Sequence, residues 1–326
     1  MRYFRTTNSE FRARNIFTEF PGFIKYSICF FSFILISSCS DKPKIQNPKF
    51  RIIDDAGVEV SFDSLPKRII SLAPNITEVI FAIGADSLLA GVTDLCDFPP
   101  EAKHKVKTGS YFSPDYETIS SLNPDLIIMN VENVSNPTYQ ALKNLGLKIF
   151  VSNAKNISGI KKMFSEFGKI TGKENEADSL LMRFENDINQ INSTGDKISS
   201  EPVLVLISVN PLMTTNGSTF INEILDLAGI TNLYKDQILD YPNINYEDVI
   251  VRNPDFILFP TDTSDTERTQ KFSDEIKRQL KKTNAVKNER IILIDENIMF
   301  RPGPRVPDAA KILRDNFIKI RNKKYE

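Results

Sequence analysis

The amino-acid sequence contains little of what most enzyme and metal chemistry requires. Among its 326 residues there is one histidine, His104, and no tryptophan. A single histidine cannot form the paired-histidine zinc site of metalloenzymes, so neither a metal nor another cofactor is expected. The glycine-rich phosphate loop, the dinucleotide-binding fingerprint and the Gly-x-Ser-x-Gly elbow are also missing, which argues against several large enzyme classes. Because lysines surround His104, we expect it in a solvated loop.

An excess of charge of either sign is missing too. Lys and Arg number 41 and Asp and Glu number 42, which gives a formal net charge of −1. Without a large basic field, nucleic acid is not an expected partner. Carboxylates are numerous enough that a secreted two-lobed hydrolase with paired acids stays open as an alternative. Since tryptophan is absent, Phe and Tyr would have to supply the aromatic surface for any flat ligand.

The first forty residues differ from the rest of the chain. Residues 1–25 carry five basic and two acidic side chains, and an apolar run from Tyr26 to Ile36 follows. As a helix this run would reach only about 17 Å, too short to cross a hydrocarbon core of about 30 Å. The pattern therefore predicts a secretory signal over residues 1–38 and not a membrane-spanning anchor.

A cysteine stands where this signal would be cut. The segment Ile36-Ser37-Ser38-Cys39 resembles a bacterial lipobox, in which the cysteine becomes the acylated N-terminus. We therefore expect lipid on Cys39 and a flexible tether over residues 39–49 that holds the protein at a membrane. A plain signal peptide with an incidental cysteine is the alternative. With Cys39 acylated, Cys96 has no thiol to pair with, so no disulfide framework is predicted.

An internal repeat is the most informative pattern in the sequence. Residues 116–128 and 246–258 share Tyr-Glu and Asn-Pro-Asp at the same spacing, 130 residues apart. Upstream of each, residues 76–80 match residues 221–225 with an offset of 145, and both segments have Ile first and Glu third. Two matched pairs in the same order indicate that one structural unit has been duplicated.

Each unit is predicted to be α/β. Apolar, β-branched runs predict buried strands at 68–72, 88–92, 125–129 and 148–151 in the first unit, and at 203–209, 255–259 and 290–294 in the second. Helices are predicted at 75–84, 219–227, 246–251 and 307–321, the first with Asn75 and Glu78 as a capping box. A β-hairpin is predicted over residues 50–62.

The predicted architecture is two α/β lobes, residues 50–156 and 196–326, bridged by a long helix over residues 157–195. Thr171-Gly172-Lys173 could divide that helix, so two abutting helices are also consistent with the sequence. Two lobes leave a cleft between them, where ligands commonly bind.

At this point the motifs resemble those of a known family, the periplasmic binding proteins of cobalamin, ferric siderophore and haem importers. The segment 68–78 resembles the family's first strand and helix, and Gly91 to Pro100 resembles a loop of its cobalamin-binding branch. Asn-Pro-Asp-Leu-Ile-Ile at 123–128 and Arg-Pro-Gly-Pro-Arg at 301–305 complete the resemblance, which runs from about Phe50 to the end of the chain. The family's fold, two α/β lobes joined by a long helix, is the fold predicted above.

The resemblance implies roles for individual residues. Tyr111 and Tyr241 match positions where cobalamin binders place aromatic rings against the corrin. The predicted ligand-binding set is Asn75, Leu95, Tyr111, Tyr241, Phe300 and Arg301. Glu117 and Glu247 match the two glutamates, one per lobe, that meet arginines of the permease dimer. An acid at the start of a helix is also explained by its interaction with the helix dipole, so this alternative stays open. Leu95 and Asn130 depart from the cobalamin-binding branch, in which Tyr and Trp are found at these positions.

The sequence therefore predicts a monomeric lipoprotein on the periplasmic side of the cell envelope that captures cobalamin for an ABC importer and is not an enzyme. Its expected partners are the small-molecule ligand, the permease dimer and, through the lipid, the membrane. A ferric siderophore or haem is the alternative ligand. From other classes, the hydrolase and a signalling or scaffold lipoprotein stay open.

Overall fold

The computed structural model describes residues 49–131, 133–193 and 201–322. The predicted signal, Cys39 and the tether up to residue 48 lie outside the described residues, as do residues 194 and 195 of the predicted connection. All of the described residues belong to one compact unit. Within these ranges, none of the helices has the length and apolar character needed to cross a membrane.

The described chain alternates strands and helices, the pattern of α/β proteins. The strands are β1 Phe50–Ile53, β2 Glu59–Phe62, β3 Ile69–Ser71, β4 Leu89–Val92, β5 Leu126–Met129, β6 Ile149–Val151, β7 Pro202–Val205, β8 Ser208–Val209, β9 Leu212–Met213, β10 Thr231–Asn232, β11 Phe256–Thr261 and β12 Ile291–Asp295. The helices are α1 Pro74–Ala82, α2 Tyr116–Ser121, α3 Pro137–Asn144, α4 Ile157–Thr171, α5 Glu174–Ser193, α6 Phe220–Leu227, α7 Tyr246–Arg252, α8 Thr266–Gln279, α9 Asn284–Lys287, α10 Glu296–Met299 and α11 Val306–Asn322.

Two four-stranded sheets define the two lobes. The N-terminal lobe has the strand order β4-β3-β5-β6 and the C-terminal lobe has the order β10-β7-β11-β12. All strand pairs in both sheets are parallel. If the four strands of each sheet are numbered 1 to 4 in chain order, both sheets have the spatial order 2-1-3-4. This identical topology agrees with the sequence duplication, and the prediction of two α/β lobes is confirmed.

The strands are buried on both faces because helices cover both sides of each sheet. On one face, a single buried apolar cluster runs through both lobes and includes Ile76 of α1, Phe164 of α4, Phe184 of α5, Ile224 of α6 and Phe317 of α11. The opposite faces are covered separately, by α2 and α3 in the N-terminal lobe and by α7, α8 and α9 in the C-terminal lobe. The two lobes therefore share one central core.

The connection consists of two antiparallel helices, so the second of the two alternatives is correct. α4 ends at Thr171 and is capped by Gly172, whose positive φ of 71° is the left-handed conformation that glycine adopts easily. The ring of Phe164 in α4 then meets that of Phe184 in α5 edge-on at 5.3 Å. α5 spans 20 residues and reaches the C-terminal lobe, where Asp187 lies 3.2 Å from Lys311 of α11.

The start of α1 differs from the prediction. The helix begins at Pro74 after the N-cap residue Ala73, so Asn75 lies inside the first turn and does not cap it. The proline accounts for this start, because an N–H at the first helical position would have no acceptor within the helix. Glu78 does not form the predicted capping box either; its carboxylate faces the other lobe.

Several elements were not predicted. The predicted strand 203–209 is divided into β7 and β8, and β8 turns back on β9 as a short hairpin. Helices α3 and α8 were missed. The apolar side chains of α8 are Phe272 and Ile276, so the apolar repeat that reveals an amphipathic helix is too short to recognise.

Candidate functional site

Loops at the carboxyl ends of the strands of the N-terminal sheet hold three residues singled out by the sequence, namely Leu95, Tyr111 and Asn130. Leu95 follows β4, Asn130 follows β5, and the backbone N–H of Asp94 joins the loops by donating to the carbonyl of Gly109, 3.0 Å away. The phenolic oxygen of Tyr111 donates to the carbonyl of Asn130 at 2.6 Å. In α/β proteins this edge of the sheet is where ligands usually bind.

Two large apolar side chains on this edge are exposed to solvent. Phe112 is 91% exposed and Leu95 is 61% exposed. The ring of Phe112 meets that of Tyr111 edge-on, with centroids 5.1 Å apart. Neighbouring apolar groups that are open to solvent, such as Phe112 beside Tyr111, often mark a binding surface.

The C-terminal lobe exposes a similar apolar segment. Ile238 and Leu239 are 96% and 67% exposed, and Tyr241 is 42% exposed. Backbone bonds hold this segment against the chain that follows β9, with Thr214 N–H donating to Pro242 O at 3.2 Å. Because the hydroxyl of Thr214 also donates to the carbonyl of Val205, the last residue of β7, at 2.6 Å, this segment lies at the carboxyl end of its sheet.

The two lobes meet at a charged cluster next to Leu95. Arg301, in the loop between α10 and α11, lies 2.6 Å from Asp97 and 3.1 Å from Glu78. Its other terminal nitrogen donates to the carbonyl of Leu95 at 3.1 Å and to the side chain of Asn297 at 2.5 Å. Burial opposes the charge of this arginine, but its hydrogen bond and charge interaction with Asp97, together with Glu78, raise the pKa of Arg301.

Glu78 is the centre of this cluster. It is almost completely buried, and it accepts two hydrogen bonds from Arg305, at 2.6 and 2.9 Å, in addition to the one from Arg301. The guanidinium of Arg305 also lies over the ring of Phe98, 4.1 Å from its centroid. Two guanidinium groups therefore pair with one buried carboxylate, and breaking a buried ion pair by removing a partner is strongly destabilising.

The structure places the predicted ligand-binding residues in three different settings. Leu95, Tyr111 and Tyr241 lie at exposed or partly exposed strand-end loops. Asn75 and Arg301 instead contact the opposite lobe: Asn75 is buried and donates to the carbonyl of Pro302 at 3.3 Å. Phe300 is half-buried and packs against the shared core. Ligand contact by any of these residues stays a prediction.

The two glutamates matched to permease contacts occupy equivalent helix starts. Glu117 is the second residue of α2, which Asp115 caps, and Glu247 is the second residue of α7, which Asn245 caps. Both glutamates are exposed. Their predicted position at helix N-termini is confirmed, and a role in docking stays a prediction.

The reactive residues of the described chain are in ordinary settings. Cys96 is buried, with its sulfur 3.1 Å from the hydroxyls of Thr77 and of Thr93. His104 is exposed, at the end of the short 3-10 helix Pro100–His104, as expected for a solvated position. Among the described residues, no cluster of three His, Cys, Asp or Glu side chains could hold a metal ion.

The fold and these loops define a two-lobed ligand-binding protein. The sequence profile of the periplasmic binding protein family matches residues 69–298, so the chain belongs to this family. The ABC transporter substrate-binding lipoprotein YvrC of Bacillus subtilis is 30% identical over 272 residues, which cover 81% of this chain and 84% of that protein.

Two further proteins are similar over most of the chain. The vitamin B12-binding protein of Pectobacterium carotovorum is 28% identical over 250 residues, which cover 76% of this chain and 87% of that protein. The solved structure of the periplasmic heme-binding protein RhuT from Roseiflexus has a TM-score of 0.69 at 23% identity, covering 78% of this chain and 98% of that chain. This last likeness concerns the fold alone. All three are named as binding proteins and not as enzymes.

Proposed function

We propose that the chain is the substrate-binding lipoprotein of an ABC importer and that it captures cobalamin between its lobes. The observation that carries the proposal is the pair of exposed apolar segments at the strand ends, Leu95 with Tyr111 and Phe112 in one lobe and Ile238 to Tyr241 in the other. A corrin is broad and flat with apolar faces, and aromatic contacts contribute about 0.5–1.5 kcal/mol each beyond their buried area. The name of the Pectobacterium relative supports the same ligand.

Haem or a ferric siderophore is the second candidate. Neither Leu95 nor Asn130 offers the aromatic ring expected of a cobalamin binder, and the chain has no tryptophan to replace it. Haem is also flat and apolar, so the same exposed residues suit it. The likeness in fold to a heme-binding protein is compatible with this alternative.

The delivery step uses the outer surface of the lobes. We propose that Glu117 and Glu247, each on the first turn of an equivalent helix, meet two equivalent basic sites on a permease dimer. A partner with two-fold symmetry presents the same site twice, and each lobe of a duplicated protein can bind one of the two sites. Lipid on Cys39 would keep the loaded protein beside the permease, on the periplasmic side of the envelope.

An absorbance titration tests the choice of ligand directly. The purified protein is incubated with cyanocobalamin, with haem or with a ferric siderophore, passed through a desalting column, and its visible spectrum is recorded. We expect the corrin absorption to remain with the protein, and calorimetry should give one site per chain. Retention of haem or siderophore without cobalamin would move the proposal to the second ligand class. Retention of none of the three would contradict the importer proposal.

A further inference from the structure

Glu78 and Glu223 occupy matching positions in the two copies of the duplicated unit, 145 residues apart. Glu78 lies in α1 of the N-terminal lobe and Glu223 lies in α6 of the C-terminal lobe. Neither belongs to the residues proposed above to touch the ligand or the permease.

Both carboxylates bind the opposite half of the molecule. Glu78 accepts hydrogen bonds from Arg301 and Arg305, which precede α11 in the C-terminal lobe. Glu223 accepts a hydrogen bond of 2.5 Å from the backbone N–H of Ile157, the first residue of α4.

α4 belongs to the N-terminal half by its contacts. Lys162 of α4 forms an ion pair with Asp55, which lies in the turn between β1 and β2. At its other end, Gly172 approaches Leu65, in the segment between β2 and β3. The bond from Ile157 to Glu223 therefore joins the N-terminal half to the C-terminal lobe, just as the Glu78 cluster does.

The binding partners of the two glutamates also match. β6 and β12 are the last strands of the two sheets, and the next long helices are α4 and α11. Glu223 binds the start of α4, and Glu78 binds the loop immediately before α11. Each glutamate thus reaches the N-terminal end of the corresponding helix in the other half. This reciprocity is what an approximate two-fold axis between duplicated units produces.

We propose that Glu78 and Glu223 form a reciprocal pair of positioning residues that fix the orientation of the two lobes and so the width of the cleft. Each contact is short, lies where the lobes meet, and has one partner in each half, so together they constrain rotation at two points. Two separated contacts restrict rotation of the lobes more than one would, in addition to the apolar core that the lobes share. The inference concerns the protein without ligand and holds whichever molecule the cleft binds.

Distance measurements between spin labels on the two lobes test this inference. Labels are placed at Leu145→Cys in the N-terminal lobe and Val251→Cys in the C-terminal lobe, both at exposed positions. The full chain carries Cys29→Ser and Cys39→Ser, while Cys96 is buried and is retained. Distance distributions are recorded by pulsed electron paramagnetic resonance without ligand, and the thermal midpoint of every variant is measured beside them.

The variants separate positioning from simple stabilisation. Glu223→Ala removes the acceptor for Ile157, whereas Glu223→Gln keeps an acceptor oxygen and should restore the wild-type distribution. Arg305→Ala weakens the Glu78 cluster while Arg301 remains paired, so this variant folds more readily than Glu78→Ala. Glu101→Ala removes an exposed carboxylate and is the matched control.

We expect a broader interlobe distribution for Glu223→Ala and for Arg305→Ala, the broadest for the double variant, and no change for Glu101→Ala. If both single variants and the double variant keep the wild-type width, the two glutamates do not position the lobes, even where the thermal midpoint falls. If only one of the two contacts changes the width, the reciprocal pair is wrong. Because no ligand is used, neither result depends on which molecule the protein carries.

Discussion

The phenolic oxygen of Tyr111 lies 2.6 Å from the main-chain oxygen of Asn130 and donates a hydrogen bond to it. Tyr111 lies shortly after Lys107, which pairs with Val92 of β4 in a parallel bridge. Asn130 directly follows β5, so this bond ties the long loop after β4 to the end of the neighbouring strand. A side chain held in this way loses less conformational freedom when a ligand stacks on its ring.

Tyr111 therefore allows its ring and its hydroxyl to be tested separately. Tyr111→Ala removes the ring, and we expect ligand affinity to fall by roughly three- to tenfold, since one aromatic contact contributes about 0.5–1.5 kcal/mol beyond its buried area. Tyr111→Phe keeps the ring and removes the hydroxyl that donates to Asn130, so its affinity should fall less. Isothermal titration calorimetry with the retained ligand measures both. Equal affinity for wild type and Tyr111→Ala would remove this residue from the binding site.

Glu117 and Glu247 are expected to act in transport and not in ligand capture. The double variant Glu117→Arg, Glu247→Arg changes two proposed attractions to a permease into two repulsions. An exposed ion pair contributes only about 0–1 kcal/mol, so each single variant should slow docking, whereas the double variant should abolish uptake. Ligand binding by the isolated protein should be unchanged, because both exposed residues are at helix starts and neither is among the proposed ligand contacts.

Reconstituted transport, measured beside calorimetry, checks this expectation. Glu267→Arg is a suitable control, because Glu267 is also an exposed acid in the first turn of a helix of the C-terminal lobe. Normal uptake by the double variant would leave both glutamates as charges that only stabilise the starts of their helices.

The lobes could be predicted from sequence because the signals for them are local or repeated. Apolar β-branched runs such as Leu126–Met129 form strands wherever helices cover both faces, and the two Tyr-Glu segments both begin helices. The duplication added long-range information that a single sequence rarely contains. Helix α8 was missed because most of its surface faces water.

The contact between the lobes could not be predicted. Glu78 and Arg305 are 227 residues apart, and no periodic pattern relates residues at that distance. Glu78 three residues after Asn75 suggested a local capping box, which the proline at the start of α1 displaced. The useful signal was the match of Glu78 with Glu223, because a charged residue repeated within an apolar helix segment indicates a buried partner.

Acylation of Cys39 is a prediction that mass determination can check. Protein extracted from membranes with detergent should have lost residues 1–38 and gained the mass of its acyl groups. Cys39→Ser should then carry no acyl mass, because serine has no thiol to receive the lipid. A mature protein with an unmodified Cys39 would contradict the lipoprotein assignment.

The stability of the protein should depend on pH through Glu166 of α4. This side chain is 10% exposed, and burial raises the pKa of its carboxyl. The pairing with Lys162, 3.4 Å away, opposes that rise, and the nearby charge of Asp55 adds to it. Within the described chain, one of its two oxygens is buried without a hydrogen-bond partner. The carboxylate form is therefore the costly one in the folded protein.

The sign of the effect follows from that raised pKa. A group whose pKa is raised by folding stabilises the protein fully below its ordinary pKa and loses this contribution as the pH rises through the folded pKa. The side chain of Glu166→Gln cannot ionise. We therefore expect the difference in free energy of unfolding, variant minus wild type, to increase as the pH rises from about 4 to about 7. Glu176→Gln is a control with the opposite sign, because the hydrogen bond from Lys173 lowers the pKa of this exposed acid. Relative to the wild type, the free energy of unfolding of this variant should fall slightly as the pH rises over the same range. Urea denaturation of the three proteins at several pH values measures these differences. If Glu166→Gln instead loses stability relative to the wild type as the pH rises, the attraction of Lys162 for the carboxylate outweighs the cost of burying it.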